Sequence, residues 1–164
     1  MARRRYKLYN GATAALTAAL APVTTGTSIK TMLQVKPTTN VAVIAWGYSF
    51  DAVPTSLVKV ELITTGTVAA TVTAFASGDV IKYDDPGTAA SAISLGTSAS
   101  GYTSTAEGTV TASRLLAGRN ELAQSYESQD PLDREGGVVA NDILRIRATT
   151  AVAIGMTCWV LIEE

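Results

Sequence analysis

The sequence predicts an all-β protein: a single jelly-roll-like β-sandwich of about eight to ten strands, carrying an extended basic N-terminal arm. Three observations carry this expectation. Apolar residues recur at every second position in several short runs, the spacing of a strand that buries one face. Turn-forming pairs such as Asn10-Gly11, Thr65-Gly66, Ser77-Gly78, Gly136-Gly137 and Asn141-Asp142 fall between those runs. Arg3, Arg4, Arg5 and Lys7 crowd the start of a chain whose net charge is only −1. One folding unit suits 164 residues. Residues 1–28 read as the arm and residues 29–164 as the sandwich domain.

Taken in order, Ala12–Leu20 is Ala-rich and fits either a short helix or an extended segment with small side chains. Ile29–Val35 reads as a strand with Ile29, Leu33 and Val35 inward. Val41–Phe50 is apolar on both faces, Ile44, Trp46, Tyr48 and Phe50 on one and Val41, Val43 and Ala45 on the other, as in a central strand. After the Asp51-Ala52-Val53-Pro54 turn, Leu57–Ile63 points Val58, Val60 and Leu62 inward and Lys59 and Glu61 outward. Val68–Phe75 sets Val68, Ala70 and Val72 against Thr71 and Thr73. Asp84–Ser104 is polar and Gly-rich and reads as a long surface excursion. Gly108–Leu116 is a weaker strand with Val110 inward. Ile143–Ala148 turns Leu144 and Ile146 inward and Arg145 and Arg147 outward, to meet a partner's acidic groups or to keep an edge soluble. Val152, Ile154, Met156, Cys158, Val160 and Ile162 form the clearest row, all facing the core.

The chemistry is restricted at the level of residue types. There is no histidine, so His-based triads, Cys-His pairs and His-bound metal sites are excluded. A single cysteine permits no internal disulfide, and Cys158 sits at a core position with no cation beside it in sequence to activate its thiol. No phosphate-binding glycine motif is present. Asp84-Asp85-Pro86-Gly87 lacks the acidic ladder of a calcium loop and reads as a solvated turn. Asp130, Asp133 and Glu135 read as loop charges rather than a glycosidase pair. The expectation is therefore a non-enzyme with no catalytic residues, no cofactor and no metal. No apolar run is long enough to span a membrane as a helix, and the balanced charge gives no footprint for nucleic acid. The basic start followed by Ala12–Ala21 mimics a signal peptide, but Asn10, Gly11, Thr13 and Thr17 dilute the apolar stretch, and no cleavage is expected.

The candidate binding residues are those of the arm: Arg3, Arg4, Arg5, Tyr6, Lys7, Leu8 and Tyr9. Arg and Tyr are enriched at protein interfaces, so the arm reads as a segment that orders on a partner and is dispensable for the fold of the sandwich.

The arm residues Arg3-Arg4-Arg5-Tyr6-Lys7-Leu8-Tyr9-Asn10-Gly11, the run Ser28–Val35, Trp46-Gly47-Tyr48-Ser49-Phe50-Asp51, Lys59-Val60-Glu61-Leu62 and the closing Cys158–Glu164 resemble small β-rich virion structural proteins of tailed phages and prophages of actinobacteria. The resemblance implies a capsid decoration, or cement, protein: made in the host cytoplasm, located on the capsid surface of the virion, bound to the major capsid protein and trimeric. A tail or head-fibre component is the first alternative. A carbohydrate-binding module displayed on the virion is the second, with Tyr83, Tyr102 and Tyr126 in loop-like regions as stacking platforms.

Overall fold

The structure is a computed structural model describing residues 4–84, 92–108 and 114–164. In chain order the strands are β1 (Arg5–Tyr9), β2 (Val23–Thr24), β3 (Lys30–Val35), β4 (Val41–Phe50), β5 (Val58–Thr64), β6 (Thr71–Ala74) and β7 (Ile81–Lys82). Then follow β8 (Gly101–Ala106), β9 (Arg114–Glu121), β10 (Ser125–Gln129), β11 (Gly136–Val138), β12 (Leu144–Thr149) and β13 (Gly155–Glu163). The first sheet runs β10-β4-β13-β1-β7, with β11 also on β4 and β2 also on β13; the second runs β6-β8-β3-β12-β5-β9. Every pairing is antiparallel.

The two sheets face each other across one apolar core, so the protein is a β-sandwich. Thirteen strands among the described residues exceed the expected eight to ten because β2, β7 and β11, at two or three residues, are too short to show a period. The chain crosses between sheets from β3 to β4 to β5 and from β11 to β12 to β13, whereas β5 to β6 and β8 to β9 stay within one sheet. This mixed wiring stands in place of a regular jelly roll.

Met156, Cys158, Val160 and Ile162 are fully buried, as their alternation requires, but Val152 lies in the preceding loop and is exposed. On β4 the alternation breaks. Leu161 pairs with Ala45 and Ile162 with Val43, leaving Ile44 as an extra residue. A bulge of this kind reverses the side-chain alternation beyond it. Val41 and Val43 therefore share the core face with Trp46, Tyr48 and Phe50, and Ile44 faces away from them, the reverse of the simple two-residue reading. The same extra residue separates β10, which ends opposite Ala45, from β11, which begins opposite Val43. A second bulge makes Met32 the extra residue of β3, so that Met32 and Leu33 both enter the core while Ile29, outside the strand, is exposed.

The N-terminal segment differs most from expectation. β1 is an internal strand, hydrogen-bonded to β13 on one side and β7 on the other, and β2 pairs with β13 as well. Residues 5–9 are not an extended arm, and the boundary between an arm at 1–28 and a sandwich at 29–164 does not describe the fold. The physical reason is visible in Tyr6 and Leu8, 1% and 0% exposed, which fill the core from alternate positions of β1. Asn10 then ties the end of β1 to β13: its side chain donates to the Met156 carbonyl at 2.9 Å and accepts from the Cys158 amide at 2.8 Å. Ala12–Leu20 contains neither helix nor strand. It is pinned by buried Asp79, whose carboxylate accepts from the Thr13 and Ala14 amides at 2.7 and 3.0 Å.

The excursion expected at Asp84–Ser104 is also partly anchored. Ala92 and Ile93 are in the core, the Thr38 amide donates to the Ala92 carbonyl at 2.6 Å, and Gly101 begins β8. Residues 85–91 of that stretch and Val110 of the weak strand lie outside the described residues.

Candidate interaction surface

Because Tyr6 and Leu8 point inward, Arg5, Lys7 and Tyr9 project from the outer face of the first sheet and are partly exposed. Register places them beside the outward residues of β13: Arg5 opposite Glu163, Lys7 opposite Leu161 and Tyr9 opposite Trp159. The Arg5 Nε donates to Glu163 Oε2 at 2.9 Å, a pairing that raises the guanidinium pKa above its ordinary value. Lys7 Nζ stands 4.0 Å from the centre of the Trp159 ring and 5.4 Å from that of Tyr9, an ammonium over two aromatic faces. Trp159 lies across Gly47, its neighbour on β4. A Cβ there would fall 2.9 Å from Trp159 Cζ2 and 2.8 Å from the Tyr126 carbonyl oxygen, so the close approach of the indole requires glycine.

Arg4 reaches Glu164 at 3.6 Å, and the Tyr6 hydroxyl donates to the same carboxylate at 3.0 Å. Burial and that hydrogen bond both raise the Tyr6 pKa. Arg3 lies outside the described residues. The structure thus brings Arg5, Lys7 and Tyr9 onto one face and removes Tyr6 and Leu8 from any surface. It also adds Trp159 and Leu161, which lie beside them on the outward face of β13. Nothing local to either terminus reveals that Tyr9 and Trp159 are neighbours.

The other sequence candidates have contacts within the chain. Arg147 Nε donates to Glu61 Oε2 at 2.7 Å. Arg145 is 1% exposed although it points out of its sheet. Its guanidinium donates to the carbonyls of Glu107 and Val68 and lies 3.9 Å from the Glu107 carboxylate. Neither arginine therefore stands as a free outward charge. Tyr102 and Tyr126 belong to strands, not loops. Tyr102 packs on Phe75, and Tyr126 packs on Trp46 and Tyr48 beneath Arg119. Only Tyr83 of the three is exposed. Cys158 is completely buried, which pushes its thiol well above the ordinary range. Among the described residues no three acidic or cysteine side chains gather as a metal site would require, so Asp130, Asp133 and Glu135 form no such cluster.

A second surface was not visible in the sequence. Four loops meet at one end of the sandwich. The Thr25 and Thr150 hydroxyls are 2.9 Å apart, the Phe50 amide donates to the Gln124 carbonyl at 2.8 Å, and β5 and β9 begin and end side by side at Val58 and Glu121. Residues 25–29, 51–57, 122–124 and 150–154 are thereby neighbours. They expose Val53, Leu57, Leu122 and Val152, each 51–65% accessible, whereas Ile29 lines a separate groove with Glu107, Arg145 and Arg147. A cavity of about 200 Å³ opens among them, lined chiefly by Ala52, Val53, Pro54, Val152, Ala153 and Ile154. Local sequence reading could not assemble this end, because its four pieces are scattered over most of the chain.

Comparison with family models, with curated proteins and with solved structures finds no match to this chain. What the fold and surfaces define is the class alone: an antiparallel β-sandwich with a basic–aromatic row on one outer face and an apolar loop end.

Proposed function

We propose that this protein is a capsid decoration protein of an actinobacterial tailed phage or prophage, binding the outer lattice of the major capsid protein and stabilising it. The observation that carries this reading is the row of Lys7, Tyr9 and Trp159 on the first sheet. Tyr and Trp are among the residue types that dominate interface energetics. Here they are mounted on two paired strands, β1 being fixed from behind by Tyr6 and Leu8, so little conformational entropy remains to be lost on binding. A sandwich held by its own core needs no disulfide or metal to persist on a particle. Added interface shared between neighbouring subunits favours the assembled shell by mass action.

Co-sedimentation with capsids of the particle that encodes it tests the reading. The wild-type chain is expected to saturate the shell. The full-length Lys7→Glu/Tyr9→Ala variant is expected to lose at least tenfold in occupancy while its thermal transition stays close to wild type. Equal occupancy of both proteins would remove the row from the account, and no binding of wild type would remove the capsid.

A further inference from the structure

We propose that the groove at Arg145 and Arg147, on the outer face of the second sheet, is a binding site for a small organic carboxylate. The two arginines occupy alternate, outward positions of β12. With Ser28, Ile29, Glu107 and Gly108 they line a groove of about 380 Å³. That volume falls within the roughly 300–1,000 Å³ of small-molecule sites. The chemistry of the occupant follows from what the two guanidinium groups lack.

Arg145 is 1% exposed, and its charge is incompletely paired. Its terminal nitrogens donate to the Glu107 and Val68 carbonyls, but its Nε is buried with no acceptor. The Glu107 carboxylate stands 3.9 Å away, beyond hydrogen-bond reach. Its oxygens accept instead from the Thr31 amide and hydroxyl, each at 2.6 Å, and from the Ser104 hydroxyl. Burial lowers the Arg145 pKa below its ordinary value, Glu107 opposes this, and Arg147 adds to it. Arg147 gives its Nε to Glu61 Oε2 at 2.7 Å, while Glu61 Oε1 is held by Lys59 at 3.1 Å. The terminal nitrogens of Arg147 have no acceptor among the described residues. Arg145, Arg147 and Lys59 thus share two carboxylates, Glu61 and Glu107, and one positive charge is left over.

A buried charge is costly until it is paired and hydrogen-bonded. A single carboxylate supplies the missing charge and acceptors, and its planar geometry matches the guanidinium fork. Ile29, 48% exposed, adds an apolar wall beside the arginines, so the body of the ligand is short and apolar. Inorganic phosphate, with more charge and no apolar surface, fits less well. The groove lies on the opposite sheet from the basic–aromatic row, so its test involves no capsid.

Titration of the full-length chain with sodium butyrate, at ionic strength held constant with sodium chloride, tests the assignment. The arginine Nε–Hε signals in ¹H–¹⁵N NMR spectra report it. Butyrate is expected to move the Arg145 and Arg147 signals together, with a dissociation constant on the order of 1–10 mM for so small a ligand. Arg147→Gln changes a partly exposed side chain, should keep the fold, and is expected to weaken binding at least tenfold. Arg119→Gln, in an exposed ion pair elsewhere, should leave it unchanged. Phosphate is expected to bind at least fivefold more weakly than butyrate. The absence of a saturable shift up to about 100 mM butyrate overturns the inference. So does equal binding by Arg147→Gln, and phosphate binding as tightly as butyrate overturns the carboxylate assignment.

Discussion

The outer faces of the two sheets contrast, and the contrast explains why one remains a candidate for binding. On the second sheet the outward residues are enclosed by the chain itself. Arg145, Gln34 and Thr31 are buried although they point away from the core. Gln34 donates to the carbonyls of Ala70 and Ala99 at 3.1 and 2.9 Å and accepts from the Ala70 amide at 2.9 Å. Thr31 gives both its amide and its hydroxyl to Glu107 at 2.6 Å. Residues 68–70, Ala99 and Glu107 thus form a covering layer over this face. On the first sheet the β1–β13 row of Lys7, Tyr9, Trp159 and Leu161 is only partly covered. Outward in a strand is therefore not the same as facing solvent, and polar residues on the two faces do different work.

Substitutions that sharpen this difference fall in a definite order. The largest effect is expected for Arg145→Ala. It removes a fully buried side chain together with the donors it gives to the Glu107 and Val68 carbonyls, a loss of hydrogen bonding and packing worth about 3 kcal/mol. Urea denaturation measures it, and a loss below about 1 kcal/mol would show that the covering layer does not depend on this residue. Gln34→Ala comes next, at about 1–3 kcal/mol, because it leaves buried backbone groups of residue 70 unsatisfied. The same titration reads it.

Glu61 gives a smaller, pH-dependent effect. Burial pushes its carboxyl upward, but hydrogen bonds from Arg147 and Lys59 outweigh this and hold its pKa below the ordinary 4.5. A depressed folded value contributes stability that is complete above the unfolded pKa and is lost as pH falls through the folded one. The contribution is below about 1 kcal/mol, given that Lys59 is largely exposed. Glu61→Gln is expected to flatten the acid limb of the stability curve below pH 4.5 relative to wild type. An unchanged acid limb would remove Glu61 from the account. The smallest effect on folding is expected at Lys7. Removing a partly exposed cation from over Trp159 in Lys7→Ala costs about 0.5–1 kcal/mol, so its thermal transition should barely move while its capsid occupancy drops.

The sandwich was legible because its core strands repeat without error over long stretches. Met156, Cys158, Val160 and Ile162 needed only their spacing, as did Val58, Val60 and Leu62. What escaped depended on partners distant in sequence. The bulge at Ile44 exists only in register with β13, so no count along β4 locates the change of face. β1 illustrates a different failure. Its alternation of charged and apolar residues was present in Arg5–Tyr9, but the density of positive charge outweighed it and suggested an arm. The enclosure of Arg145 depends on residues 38 and 77 positions earlier in the chain, Glu107 and Val68. The apolar end, assembled from four separated loops, left no local trace at all.

The central claim is that the outward row of β1 and β13 meets a capsid. A cryo-EM reconstruction of the particle that encodes this chain tests it most directly. The account predicts copies of the sandwich across the outer shell, in register with the lattice, with Lys7, Tyr9 and Trp159 buried against a capsid subunit. A shell without the protein, or one on which that face looks into solvent, would contradict it.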